Sequence, residues 1–251
     1  DLISYIPFDT KSNAEKFIAI TNPTLAVIMR YDVWPNMISS LKAKNIPIYL
    51  VDATLRSTSP RQYPLIKSFH KILFGNLTRI LTVSESDAIE FKSFGFDDKK
   101  VSAVGDTRFD RVYQRSLLAK EKRLISYNVL KGKKVLVAGS TWEQDEEVIF
   151  PAFLKLAGKL KTIRFSHLNN YADERIIIVD SIGILLTLYT YANVAYVGGS
   201  FKQNIHNVLE AAVYGTPVLF GPKIENSQEA KKIAELGGGI VINNKRQAYK
   251  T

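Results

Sequence analysis

The sequence predicts an α/β fold built on parallel sheets. Short apolar runs of the kind that form buried parallel strands recur along the chain, for example at residues 25–29, 46–51 and 176–180. A polar or glycine-containing loop and then a helical pattern follow these runs, which is the βαβ order of open α/β sheets. In such sheets the loops at the carboxyl ends of the strands bind ligands, so we expect the ligand-binding site in these loops.

Length and composition predict two modest domains in a chain of 251 residues, which we place at residues 1–125 and 126–251. The absence of cysteine excludes a disulfide framework and a thiol nucleophile, and three histidines argue against a dedicated zinc site. The sequence shows no secretory signal and no apolar run long enough to span a bilayer. Because the opening residues do not resemble a natural start, we expect further segments outside this chain.

The net charge of +10 and the pI of about 9.5 favour anionic partners. No acidic residue lies between Asp52 and Glu85, and the pattern at residues 61–74 predicts a basic amphipathic helix. This helix is open to three interpretations: a solvated surface, docking to anionic lipid, and, third, nucleic-acid binding, for which there is no recognisable motif. The basic residues in question are Arg56, Arg61, Lys67 and Lys71.

The first domain begins its parallel sheet with the strand predicted at residues 25–29. The loop at 30–37 follows this strand and leads into a helix, and further strands are predicted at 46–51 and 79–83. Asp32 lies in the loop, where a carboxylate can meet a sugar hydroxyl. The alternatives for Asp32 are a helix cap and a structural ion pair.

A fourth strand is predicted at residues 101–104, and the loop after it contains Arg108. A guanidinium at the end of a strand is a suitable anion ligand because it presents a rigid fork of donors. The alternative is a salt bridge from Arg108 to Asp106 or Asp110. Residues 111–132 are predicted to connect the two domains.

The second domain opens with a strand at residues 135–138, followed by Gly139, Ser140 and Thr141 and an acidic helix start. A strand, a glycine-serine-threonine turn and a helix form an anion-binding arrangement, although many loops share this pattern. Farther on, the α/β repeat is interrupted near Leu156, where we expect a strand and a helix to be absent. His167, downstream of the interruption, is interpreted as an ordinary surface histidine.

Residues 195–221 carry the most informative pattern: strand, glycine turn, short helix and strand. Asn207 and Glu210 lie three residues apart near the predicted helix start and share a face. The carboxylate of Glu210 can accept both hydroxyls of a ribose. A capping box, with Asn207 as the N-cap and Glu210 as the third helical residue, explains the pair equally well.

The order of these motifs resembles that of the GT-B glycosyltransferases, and within them most closely that of the 3-deoxy-D-manno-octulosonic acid (Kdo) transferases of lipopolysaccharide biosynthesis. The family's tryptophan-proline-asparagine loop matches residues 30–36, with Arg30 in place of its first acid. Its G-x-x-K-F-D loop matches 105–110, with arginine for lysine. The other matching segments are 139–147, 180–185 (with Ile184 in place of a glutamate), 198–200 and 206–210.

The resemblance implies a GT-B fold, with two Rossmann-like parallel-sheet domains facing a cleft and an apparently incomplete amino-terminal domain. It also implies an inverting enzyme without metal ion or cofactor, with CMP-Kdo as donor and lipid A or its precursor as acceptor. The family's general base is a glutamate in a region that this chain does not contain. The implied location is the cytoplasmic face of the bacterial inner membrane, peripheral or anchored by a segment outside this chain.

The resemblance also assigns roles to individual residues. Asp32 and Arg108 would assist the transition state, whereas the basic residues Arg56, Arg61, Lys67 and Lys71 would face the acceptor and the membrane. The nucleotide site would be formed by Ser140, Thr141, Ile182, Gly183, Ile184, Gly198, Gly199, Ser200, Asn207 and Glu210.

Two alternatives remain at this stage. One is another GT-B enzyme that uses a UDP-sugar, either a transferase or a sugar 2-epimerase. The other is a lipid-binding relative that kept the fold without its base. Neither reading involves nucleic acid.

Overall fold

The computed structural model describes residues 3–157 and 161–251. Two compact units are present: the first ends at Thr107 and the second begins at Arg108. Each unit contains a four-stranded sheet in which every paired strand is parallel, and helices connect the strands. The predicted α/β fold is therefore confirmed. Among the described residues, no helix combines the length and the apolar character needed to cross a membrane.

The first unit has the strand order β1-β2-β3-β4, as expected for a sheet built by consecutive crossovers. Its core lies on the sheet and includes Ile48, Leu50 and Ile80, against which Phe74 and Phe91 pack. The strands are β1 (Ala26–Met29), β2 (Ile48–Ala53), β3 (Arg79–Thr82) and β4 (Val101–Ala103). The helices are α1 (Lys11–Thr21), α2 (Pro35–Ala43), α3 (Pro64–Gly75) and α4 (Glu85–Lys92).

The second unit has a sheet of order β10-β9-β8-β5 and a separate pair, β6 and β7. Its core surrounds β8 and β9, where Ala195, Val197, Val218 and Phe220 are buried. The strands are β5 (Leu136–Gly139), β6 (Thr162–Arg164), β7 (Ile176–Ile178), β8 (Val194–Val197), β9 (Val218–Phe220) and β10 (Gly239–Val241). The helices are α5 (Thr107–Lys120), α6 (Tyr127–Leu130), α7 (Glu143–Ala157), α8 (Leu185–Leu188), α9 (Leu209–Ala212), α10 (Gln228–Glu235) and α11 (Lys245–Lys250).

The segment between the two sheets differs from the sequence-based expectation. Much of it forms α5, which continues to Lys120, and Arg108 therefore lies in the first turn of a helix and not in a loop. The backbone amides of Leu124 and Ile125 donate to the hydroxyl of Tyr191, at 2.8 and 3.3 Å. These bonds attach the end of the connecting segment to the second unit. The sequence analysis placed the domain boundary near residue 125, whereas the two units divide between Thr107 and Arg108.

The interruption expected near Leu156 coincides with an irregular part of the second unit. Residues 158–160 lie outside the described residues. Within the described ranges β6 and β7 pair only with each other, and β5 ends the main sheet. Leu136 in β5 is 39% exposed, whereas Tyr196 in the adjacent β8 is fully buried. Because strands of parallel sheets are normally covered, the exposure of β5 is consistent with an absent strand and helix.

Candidate functional site

The predicted glycine loops of the second unit meet at the carboxyl ends of β5 and β8. These strands pair with Gly139 beside Val197, so the loops that follow them are neighbours. The amide of Gly198 donates to the carbonyl of Gly139 at 2.9 Å. A Cβ atom on Gly198 would lie 2.3 Å from the carbonyl oxygen of Ser140, so a side chain cannot be placed there. The two loops therefore pack backbone against backbone.

A buried carboxylate, that of Asp145, holds this junction together. Its side chain accepts hydrogen bonds from the amides of Trp142 (2.9 Å) and Gly199 (2.8 Å) and from the hydroxyl of Tyr196 (2.8 Å). Burial and the bond to Asp145 raise the pKa of Tyr196, which keeps the hydroxyl protonated as a donor. The sequence showed only an acidic helix start here, and this role of Asp145 was missed.

Two of the three backbone amides at residues 198–200, those of Gly198 and Gly199, are engaged within the protein. The amides of Gly198 and Gly199 donate to Gly139 and Asp145, as described above. Ser200 is fully buried, and its hydroxyl oxygen accepts the amide of Gly221 at 2.6 Å. The amides of Gly198 and Gly199 and the Ser200 hydroxyl oxygen therefore stabilise the loops next to the site, whereas these two glycine amides were expected to face a nucleotide.

Ser140 and Thr141, the polar residues of the loop after β5, differ in their surroundings. Ser140 is exposed and has a positive φ of 54°, which is uncommon for a residue with a side chain. The hydroxyl of Thr141 donates to the Glu146 carboxylate at 2.9 Å. Of this pair, Ser140 is the more accessible to a ligand.

Asn207 and Glu210 are brought together at the start of α9, which begins at Leu209, one residue later than the capping box requires. The Asn207 side-chain oxygen accepts the amide of Leu209 at 3.2 Å, but the N-cap residue of α9 is Val208, which makes no side-chain cap bond, so Asn207 is not the N-cap. Glu210 does not complete a capping box, because its carboxylate accepts the side-chain amide of Asn207, at 3.4 Å. Burial raises the pKa values of Tyr189 and Tyr214, and the Glu210 carboxylate raises both further.

A cavity of about 330 Å³ lies beside this turn, within the second unit. Two of the predicted site residues, Arg108 and Asn207, line it together. The Arg108 guanidinium forms an ion pair with the carboxylate of Glu229 in α10. The remaining lining residues, which the predictions did not include, are Ile205, His206, Val208, Asn226, Ser227 and Glu229.

Trp142, His206 and Lys202 form a cluster that we call the aromatic bridge, of which His206 lines this cavity. The indole nitrogen of Trp142 lies 3.0 Å from Nε2 of His206, and the two ring planes are within 8° of each other. The ammonium of Lys202 lies 3.9 Å from the centre of the Trp142 ring. Trp142 and His206 are 64 residues apart, so no local pattern connects them.

The expected nucleotide loop after β7 is largely exposed. Ile182 is fully exposed and Gly183 has a positive φ of 80°, and neither residue lines the cavity; Ile184 is half-buried and precedes α8. Upstream, the Asp180 carboxylate accepts the hydroxyl (2.6 Å) and the amide (3.1 Å) of Ser166. The hydroxyl bond is the main cause of a lowered pKa for Asp180.

The predicted site residues of the first unit lie after β1. Asp32 is exposed, and its side chain has no hydrogen bond or ion pair among the described residues. The helix that follows it, α2, is capped instead by Asp9, whose carboxylate accepts the amides of Asn36 (3.0 Å) and Met37 (2.9 Å). Both structural alternatives for Asp32, a helix cap and an ion pair, are therefore wrong.

The basic helix of the first unit, α3, exposes an apolar stripe. Leu65, Phe69 and Ile72 are spaced for one helix face, and they are 90%, 52% and 71% exposed. Arg56 and Lys71 are exposed and Arg61 is half-buried, whereas the Lys67 ammonium donates to Ser93. Because this exposed stripe is apolar, it does not fit the interpretation of α3 as a solvated surface helix.

Comparison with known proteins agrees with the motif order. Residues 1–111 match the family model described as 3-deoxy-D-manno-octulosonic-acid transferase (kdotransferase). The Kdo transferases of Rickettsia prowazekii and Haemophilus influenzae are 28% and 25% identical to the chain and cover 98% and 97% of it. The resemblance to the Kdo transferases is confirmed. The chain spans 59% and 64% of the length of these two transferases.

The alignments with these two transferases are longer than the chain itself. They run over 278 and 276 positions, more than the 251 residues of the chain, so the two Kdo transferases have residues that this chain lacks within the aligned range. Among solved structures, UDP-GlcNAc 2-epimerase from Neisseria meningitidis bound to UDP-GlcNAc covers 96% of the chain and is itself covered to 69%, with a TM-score of 0.62 at 14% identity. This likeness shows the fold, and the predicted GT-B class is confirmed.

Proposed function

We propose that this chain is part of an inverting Kdo transferase that moves Kdo from CMP-Kdo to a lipid A precursor without a metal ion. The similarity to Kdo transferases supports the reaction class. The observation that carries the proposal is the cavity at the start of α9, where Arg108, His206 and Asn207 converge in the second unit. The cytidine nucleotide is proposed to bind there, with Glu210 beside its ribose.

The chemistry requires charge stabilisation at the leaving group. The acceptor hydroxyl attacks the anomeric carbon of Kdo, the bond from that carbon to the phosphate oxygen breaks, and CMP leaves with the bonding electrons. Arg108 lines the cavity, and its guanidinium, which is paired with Glu229 and presents further N–H donors, matches a phosphate, so we assign it to the developing negative charge. Asp32 is assigned to the sugar side, and the general base is proposed to lie outside this chain.

Substitution of Glu210 by alanine is expected to weaken CMP binding by about 10- to 100-fold, because hydrogen bonds to a charged group contribute about 1.5–3 kcal/mol. Isothermal titration calorimetry measures the affinity, and thermal unfolding checks the fold. Glu235→Ala is the matched control, since Glu235 is an exposed glutamate of the same unit that contacts Lys232. An unchanged CMP affinity in Glu210→Ala would limit Glu210 to its contact with Asn207.

We further propose that α3 docks peripherally on the anionic inner surface of the bacterial inner membrane, where the acceptor lipid resides. The exposed stripe of Leu65, Phe69 and Ile72 supplies shallow apolar insertion. The neighbouring basic residues, in a segment without acids, supply electrostatic attraction.

The double substitution Leu65→Ser and Ile72→Ser is expected to reduce binding to phosphatidylglycerol vesicles by about tenfold or more, because a buried aliphatic side chain contributes about 1.5–3 kcal/mol and both are exposed in the protein. Vesicle sedimentation measures the partition. Ile20→Ser, at an isoleucine of α1 that is 82% exposed, serves as the control and should bind like the wild type. Equal loss in both variants would show that the stripe has no special role.

A further inference from the structure

The hydrogen bond within the aromatic bridge fixes which nitrogen of His206 carries a proton. An indole N–H is a donor only, so the His206 Nε2 atom, 3.0 Å away, must accept and must be unprotonated. In the neutral imidazole the proton then resides on Nδ1. In water the other tautomer is the commoner one, and the protein therefore selects the less common form.

The surroundings hold the His206 ring in this orientation. The His206 amide donates to the carbonyl of Gly198 at 3.1 Å, which anchors its backbone to the glycine loop. A Cβ atom on Gly199 would lie 2.7 Å from Cδ2 of the imidazole, so the ring packs closely on the edge that bears Nε2. The opposite edge bears Nδ1, which makes no hydrogen bond among the described residues.

Lys202 strengthens the bond that Trp142 makes. An ammonium 3.9 Å above the centre of the indole withdraws electron density from the ring, which makes its N–H a better donor. Of this cluster, His206 lines the cavity, together with the ion pair of Arg108 and Glu229.

We propose that Trp142 is a positioning residue that locks His206 as the Nδ1–H tautomer, so that Nδ1–H donates to a phosphate oxygen of the bound nucleotide. The assignment of the phosphate rests on the proposed CMP site. A neutral donor of fixed orientation needs no reorganisation as charge develops on the leaving phosphate, which is the condition for electrostatic stabilisation. The tautomer itself is a property of the ligand-free protein.

The tautomer is read by long-range ¹H–¹⁵N correlation on protein labelled at its three histidines, at about pH 8. The exposed His167 is the internal reference, and the spectrum of His206→Asn assigns the His206 signals. In the wild type we expect the proton on Nδ1 of His206. In Trp142→Phe, which keeps the backbone amide that Asp145 accepts, we expect a shift toward Nε2–H, whereas Lys202→Met should retain the wild-type form.

The ligand step is tested on the same proteins with CMP and with cytidine, which lacks the phosphate. We expect CMP, and not cytidine, to move the Nδ1 resonance, and Trp142→Phe to weaken CMP binding about tenfold while leaving cytidine binding unchanged. His206→Asn, which keeps a side-chain N–H near the position of Nδ1, should bind CMP better than His206→Ala.

Each result has a defined consequence. An Nε2–H tautomer in the wild type, or an unchanged tautomer in Trp142→Phe, would overturn the lock. An Nδ1 resonance that responds equally to CMP and cytidine would overturn the phosphate assignment. A wild-type protein that binds neither ligand would overturn the proposed CMP site together with the phosphate assignment, and the lock would still be decided by the ligand-free spectra.

Discussion

Asp145→Ala is expected to lower the free energy of unfolding of the second unit by about 3–5 kcal/mol. The carboxylate is fully buried and accepts three hydrogen bonds, from Trp142, Gly199 and Tyr196. Alanine leaves these donors without their acceptor, and an unsatisfied buried donor costs about 1–3 kcal/mol. Because two of the donors are backbone amides in the loops at the strand ends, CMP affinity should fall together with stability.

Urea denaturation followed by near-ultraviolet circular dichroism measures this change. Tyr196→Phe is the graded control: it removes one donor and leaves the carboxylate with two, so we expect a loss of about 1–2 kcal/mol. If Asp145→Ala is no less stable than Tyr196→Phe, the carboxylate does not hold the two loops together.

Gly198→Ala is expected to cost about 3 kcal/mol, the upper part of the range for overpacked sites. The added Cβ atom would lie 2.3 Å from the Ser140 carbonyl oxygen and 2.6 Å from Cα of Thr141. Both are backbone atoms and cannot rotate away, so the loop at residues 139–141 must move. A displaced loop also shifts Trp142, and CMP binding should therefore weaken.

The control for this substitution is Gly238→Ala in the same unit. There the nearest atom to a new Cβ is the Cγ2 of Ile233 at 3.5 Å, which is an ordinary contact. Differential scanning calorimetry should show a large drop in the unfolding temperature for Gly198→Ala and almost none for Gly238→Ala. Equal unfolding temperatures would mean that the two loops do not pack as described.

Local pattern was enough to predict most of the strands. The last strand of the pattern at 195–221 is β9, whose burial leaves a continuous hydrophobic signal, and the run at 176–180 contains β7, although Ile178 is 52% exposed. The amphipathic helix predicted at 61–74 is α3, offset by a few residues. The cap of α9 was not predicted correctly: its N-cap is Val208, whereas Asn207 only accepts the amide of Leu209.

Pairings between distant residues could not be predicted in this way. Asp145 looked like one of several acids at a helix start, and only the fold brings it to Gly199, 54 residues away. The contact of Arg108 with Glu229 joins residues 121 apart. The glycine pattern correctly located the loops, but the motif does not reveal whether an amide faces a ligand or a neighbouring loop, and here Gly198 and Gly199 face the protein.

Nucleotide preference tests the central claim most directly. Thermal unfolding of the protein with saturating CMP or UDP should show stabilisation by CMP alone, because a ligand at 100 times its dissociation constant adds about 2.7 kcal/mol to the folded state. This corresponds to a rise of several degrees in the unfolding temperature for a chain of this size. Stabilisation by UDP and not by CMP would contradict a cytidine-nucleotide site in the second unit.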